Sequence, residues 1–165
     1  MSREDQGFTH FDAEGKARMV DVGEKAVTHR VAEARAQLRM SSETLRAIRD
    51  GAIEKGTVLG VARVAGIMAA KKTGELIPLC HPLFLTRVEI EFEFEGDDLL
   101  VIDSRVEVRD RTGVEMEALC ACSVAALTVY DMCKSRDRGM TVERLGLRHK
   151  SGGRSGTWEA PDSDS

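Results

Sequence analysis

Residues Arg87 to Asp110 read RVEIEFEFEGDDLLVIDSRVEVRD. Val88, Ile90, Phe92 and Phe94 alternate with Arg87, Glu89, Glu91, Glu93 and Glu95, so one side of the segment is apolar and the other charged. Neighbouring side chains of a strand point to opposite faces, and a period of two therefore predicts a strand with one buried face. EGDD turns the chain, and Leu100, Ile102, Val106 and Val108 carry the alternation back, giving an antiparallel hairpin. A hairpin with one dry face needs a cover.

Sequence on both sides of the hairpin can supply that cover. Upstream, SSETLRAIRDG (41–51) has serines where a helix starts and Gly51 where it ends. KGTVLGVARVAGIMAAKKTG (55–74) opens at Gly56 and Thr57, runs through small apolar residues and meets two lysines before Gly74, which predicts a second helix. Downstream, Thr112 and Glu115 have the spacing of a capping box, predicting a long helix through about Lys134. HRVAEARAQLRM (29–40) alternates and reads as a strand, although its alanines also suit a helix. RLGLRHK (144–150) is a last short strand, followed by the flexible loop SGGRSG. The first 20 residues or so form an arm, and about 157–165 a flexible acidic tail. The expected architecture is α+β: an antiparallel sheet with helices packed on one face.

Length and composition narrow the function. A chain of 165 residues fits one domain. A net charge of -4 and only five Phe, one Trp and one Tyr give neither a basic surface nor stacking platforms, which argues against nucleic acid. The amino terminus, MSREDQGFTHFDAEG, is polar and unlike a signal peptide, and no stretch reaches the roughly 20 apolar residues of a membrane span, so a cytoplasmic protein is expected. Four cysteines without a C-x-x-C pair suggest neither a disulfide framework nor a zinc site. Cys120 and Cys122 would splay about 200° apart on a helix and read as small core residues.

Three places can carry chemistry. LIPLCHPL (76–83) sets His81 and Cys80 between Pro78 and Pro82, which stiffen the segment and favour extended backbone. Extended neighbours face opposite ways, so Cys80 and His81 are unsuited to ligating one metal, and His81 is either a core hydrogen-bonding group or a site residue. The helix from Thr112 is uncharged between Ala118 and Tyr130, and its small residues would admit another helix closely, including one from a second subunit. Charges return as Glu115 and Glu117 at its start and Asp131 and Lys134 at its end; Asp131 opposes the helix dipole, so either Lys134 compensates it or a site requires it. Lys55, Lys71, Lys72, Lys150 and Arg154 sit beside glycines, a pattern that suits a polyanionic small ligand, although no nucleotide-binding glycine motif is present.

Four stretches, THFDAEGKARMVDV (9–22), KGTVLGVARVAGIMAAKKTGELIPLCHPL (55–83), TGVEMEALCACSVAALTVYDMCK (112–134) and KSGGRSG (150–156), resemble the cyclic pyranopterin monophosphate synthase family of molybdenum cofactor biosynthesis. The resemblance runs from about Thr9 to Gly156. It implies a ferredoxin-like α+β subunit in a homohexamer, a trimer of dimers, with active sites at the dimer interface. The implied reaction converts 3′,8-cyclo-7,8-dihydroguanosine triphosphate, a purine-derived substrate, into cyclic pyranopterin monophosphate and pyrophosphate. No cofactor is required in that reading, and Mg²⁺ can accompany the triphosphate. Carried over by motif, Leu79, Cys80, His81, Glu115, Met116, Glu117, Lys150 and Arg30 bind substrate, while Asp131, Lys134 and Lys55 move protons. Arg154 stands where the family is expected to have lysine. The competing reading is a non-catalytic oligomeric ligand-binding module on the same scaffold.

Overall fold

The computed structural model describes residues 9–51 and 58–161. In chain order its elements are β1 (Thr28–Arg39), α1 (Ser42–Arg49), α2 (Val58–Lys71), α3 (Thr73–Leu76), β2 (Arg87–Glu95), β3 (Leu99–Asp110), α4 (Glu115–Cys133), β4 (Thr141–Ser151) and β5 (Trp158–Glu159). The strands form one sheet in the order β2-β3-β1-β4-β5, with every neighbouring pair antiparallel. The helical connection from β1 to β2 passes over β3, and that from β3 to β4 passes over β1. This interleaving is the ferredoxin-like arrangement, with β5 added at one edge.

The hairpin has its expected register, with Phe92 opposite Ile102 and Phe94 opposite Leu100. Gly96 turns it at φ +57°, a conformation that favours glycine. Ala32, Ala34, Ala36 and Leu38 of β1 are fully buried beside Ile102, Val106 and Val108 of β3. The alanines of β1 are small because α4 lies directly across them. Cys122 Sγ donates to Ala34 O and Ile102 O at 3.3 and 3.4 Å, and Ser104 Oγ donates to Ala118 O at 2.8 Å. These bonds satisfy polar groups in the layer between helix and sheet. Burial pushes the Cys122 thiol up to about 11, so it is an inert core group.

Close helix packing takes place within one chain. A Cβ added at Gly66 of α2 would lie 2.7 Å from Ala121 O and 3.3 Å from Ala125 Cβ of α4. The small residues of α4 therefore receive α2 on one side and the sheet on the other. Such two-sided burial also explains why α4 reaches a mean hydropathy of 1.4 and the length of a membrane span.

Three local expectations need correction. α4 begins at Glu115, three residues later than Thr112, and its N-cap Val114 makes no side-chain cap bond; the capping box does not form because the Glu115 carboxylate is engaged elsewhere. The region expected as a flexible tail from about 157 contains β5, with Trp158 opposite Lys150, Glu159 opposite His149, and Ala160 N–H donating to Arg148 O at 2.8 Å. The last strand is longer than RLGLRHK and carries two irregularities against β1, between Glu33 and Ala34 and between Arg35 and Gln37. Each reverses which side chains face the helices. Along β4, Leu147 packs on the core after the irregularity at Arg35/Gln37, and Lys150, opposite buried Ala32, faces the helix layer after the one at Glu33/Ala34.

The other face of the sheet is charged. Asp103 accepts two bonds from Arg35, at 2.7 and 2.9 Å, and Arg105 bonds both Glu33 and Glu107. Arg105 holds the Glu107 carboxyl below its ordinary range, with His29 adding to the effect. Such part-exposed pairs each contribute roughly 0–1 kcal/mol, and the burial of the opposite face dominates.

Candidate active site

A cleft of about 470 Å³ opens where α4 begins. The first turn of the helix contributes Glu115, Met116 and Glu117; the end of β4 contributes Lys150, and β1 contributes Arg30. Leu79, Cys80 and His81 also line it. Every substrate-binding residue expected from the sequence therefore lines one hollow, although they come from four separate parts of the chain. One detail differs. Cys80 N–H donates to Ile77 O at 3.1 Å, closing a turn around Pro78, so Leu79, Cys80 and His81 leave the regular extended geometry and all three meet the cleft. Pro78 suits that turn because its φ is already fixed.

Glu115 and Glu117 are two residues apart and have different surroundings. Lys150 Nζ donates to Glu115 Oε1 at 2.6 Å, with both side chains about 30% exposed. Gly113 makes room for this pair, because a Cβ there would overlap the Glu115 carboxylate. Glu117 is 4% exposed. Burial pushes its carboxyl up to about 7, its own backbone N–H opposes that shift, and the charge of Glu115 adds to it. A helix N-terminus favours a carboxylate, typically by about 0.3–1 kcal/mol, and desolvation outweighs that here. At neutral pH Glu117 can therefore either hold or accept a proton, which suits acid–base work. Burial first, and the Glu117 carboxylate second, also push the Cys80 thiol upward. Among the described residues no cluster of three His, Cys, Asp or Glu side chains is placed to hold a metal ion.

Arg30 has structural partners. Its Nε donates to Asp110 O at 3.1 Å and its Nη2 to Arg111 O at 3.0 Å, so it braces the loop that leads into α4. Above it, Gly153 has φ +75° and no room for a Cβ against the guanidinium; Gly152, at φ +95°, is equally tight against His29 O. The glycines of KSGGRSG thus let the loop lie flat on β1, where Ser155 reaches the cleft.

Asp131 and Lys134 are elsewhere. Lys134 Nζ donates to Asp131 Oδ1 at 2.6 Å, with the side chains 56% and 70% exposed for Lys and Asp respectively. Asp131 lies about 21 Å along α4 from Glu117 at about 1.5 Å per residue, Lys134 caps the helix about a turn beyond it, and neither lines the cleft. Lys55 lies outside the described residues.

Sequence reasoning missed the contribution of the arm. Thr9, His10, Val20, Val22 and Lys25 line the cleft, as do Arg111, Thr112 and Gly113 of the loop before α4. The arm is shaped locally: Asp12 Oδ1 accepts from the N–H groups of Glu14 and Lys16, and Arg18 N–H donates to His10 O. The available signal was THFDAEGKARMVDV itself, whose lack of periodicity concealed its use. A larger hollow, about 580 Å³, lies across the charged sheet face among Arg35, Asp103, Arg148, His149 and Glu159, and holds none of the motif residues.

Relatives share this chain almost end to end. A cyclic pyranopterin monophosphate synthase of Thermomicrobium roseum is 61% identical over 158 residues, covering 95% of each chain. One from Novosphingobium aromaticivorans is 58% identical over 155 residues, 94% of this chain and 98% of the relative. One from Brevibacillus brevis is 59% identical over 149 residues, 90% of this chain and 93% of the relative. Residues 19–153, which carry most of the cleft and both ends of α4, match the model of one family, and the chain belongs to that family, the MoaC family.

Proposed function

We propose that this chain converts 3′,8-cyclo-7,8-dihydroguanosine triphosphate into cyclic pyranopterin monophosphate with release of pyrophosphate, the synthase activity for which its relatives are named. The observation that carries this reading is the convergence of LCH, EME and Lys150 on one cleft at the start of α4. Rebuilding a purine-derived ring into a pterin moves several protons, and Glu117, poised near neutrality, is suited to relay one. Forming the cyclic phosphate breaks the bond to pyrophosphate, whose growing charge needs preorganised cations. Lys150 supplies one from the cleft wall, shared with Glu115, and Arg30 holds the adjoining loops in place.

In this reading Asp131, Lys134 and Lys55 perform proton transfer, and the separation of Asp131 from Glu117 is met by assembly. Two copies related by a two-fold axis would bring the end of one α4 to the start of the other, giving composite sites, and three such dimers make the hexamer. The reaction needs no redox cofactor, Mg²⁺ would arrive with the triphosphate, and the cytoplasm is the compartment. No observation favours the non-catalytic binding module. The test is incubation of the purified chain with the cyclised triphosphate, with pyrophosphate release measured and the pterin product identified by mass. Tight binding without either product would overturn the proposal.

A further inference from the structure

The carboxy-terminal strand lies beyond the residues that match the family model, which end at 153. It is joined to the cleft at every step. Lys150 faces Glu115 on one side of β4, while the next residue back, His149, faces the opposite side of the sheet, where its Nδ1 and Glu159 Oε1 are 2.6 Å apart. Trp158 is the register partner of Lys150, and Ala160 N–H donates to Arg148 O at 2.8 Å. Between β4 and β5 runs the loop from Gly152 to Thr157, which presents Ser155 to the cleft and includes three glycines at positive φ. Positive-φ glycines permit the path but do not hold it, because glycine loses the most conformational freedom on being fixed. Gly152 and Gly153 rest on β1 and Gly156 N–H donates to Gly153 O at 3.3 Å; the stretch that carries Ser155 is otherwise tied down at its two ends, β4 and the short β5.

We propose that β5 is a latch for the substrate-binding loop: the Glu159–His149 pair and the Ala160–Arg148 bond close the loop from the far face of the sheet, so that Lys150 and Ser155 stay aimed into the cleft. This inference rests on the functional reading above and adds Glu159 as a positioning residue for the anionic part of the substrate. Glu159 is not among the residues that line the cleft, so its effect reaches the substrate through the loop and is expected in affinity rather than in the chemical step. Two residues of strand are marginal by themselves. The side-chain pair consequently has a visible share in docking, even though part-exposed pairs are weak.

Trp158 is the sole tryptophan, which makes the latch observable without turnover. Glu159→Ala is expected to raise acrylamide quenching of Trp158 and to raise KM about three- to fivefold, with kcat and Tm unchanged. Glu159→Gln keeps a hydrogen-bonding partner for His149 and should recover most of the affinity. Ala160→Pro removes the N–H that bonds Arg148 without altering a cleft side chain, and should raise both quenching and KM further. The proposal is overturned if Trp158 comes free while KM stays at the wild-type value, if KM rises with Trp158 still docked, if kcat falls at constant KM, or if Glu159→Ala changes neither quantity. Should the wild-type chain release no pyrophosphate, only the functional reading fails. Calorimetric affinity for inorganic tripolyphosphate then makes the same comparison between wild type and variants.

Discussion

The two ends of α4 carry the same kinds of residue in opposite circumstances. At the start, Glu117 is 4% exposed and its carboxyl is pushed up to about 7, while Glu115 is paired with Lys150 inside a cleft. At the end, Asp131 is 70% exposed, and Lys134, held by it, keeps its proton above the ordinary lysine range. One end is tuned by burial within the chain, and the other lies at the surface with an ion pair that water screens. If both serve one reaction, the exposed end acquires its tuning only when another surface covers it. In the proposed reaction, then, one subunit completes the binding cleft and a second surface would have to complete the catalytic set.

The largest effect that could break this comparison is at the exposed end. Asp131→Asn should lower turnover about 10³-fold, the range of general acid–base catalysis, with assembly unchanged by light scattering. Wild-type turnover would reduce Asp131 to compensation of its neighbour. Next comes complementation: Glu117→Ala and Asp131→Ala proteins, unfolded and refolded together, should regain about a quarter of wild-type activity. Half of randomly formed dimers are mixed, and one of their two sites is whole. Activity that stays at the level of the parents, once mass spectrometry has established mixed dimers, would separate the two ends of the helix.

A smaller effect sharpens the account of the buried end. The folded pKa of Glu117 lies above its unfolded value, so the folded state binds the extra proton between about pH 4.5 and 7. Stability from this group is then lost as pH rises through that window, by about 3–3.5 kcal/mol in all. Glu117→Gln should accordingly be more stable than wild type at pH 8 by about that amount and equal to it at pH 4, as read by urea unfolding, while losing activity. A pH-independent difference would mean that Glu117 stays charged. A smaller change still is expected at Lys150→Ala, where substrate affinity should fall about tenfold at low salt and the deficit should shrink as salt is added. An equal deficit at all salt concentrations would assign Lys150 to shaping the cleft through Glu115.

Much of this molecule was determined by local sequence. The period of two in Arg87–Asp110 requires one buried face, so the hairpin and its register follow from side-chain alternation alone. Ser41 caps α1, accepting from Thr44 N–H at 3.3 Å, and Gly51 ends it at φ +66°, both through contacts within a few residues. The long motifs likewise contain most residues of the cleft, Lys25, Arg30 and Arg111 excepted. Tertiary structure decided the rest, because each remaining choice was a competition between local preference and a distant partner. Thr112 and Glu115 have the spacing of a cap, but Glu115 is taken by Lys150, 35 residues away. The alternation of RLGLRHK would put His149 beside Leu147 on one face; a distortion against β1 instead gives Lys150 to the cleft and His149 to β5. The small residues of α4 could have received any helix, and α2 is the one whose Gly66 permits contact. Periodicity encodes which face is buried; only the packed chain decides what it is buried against, and hence which carboxylate loses its water.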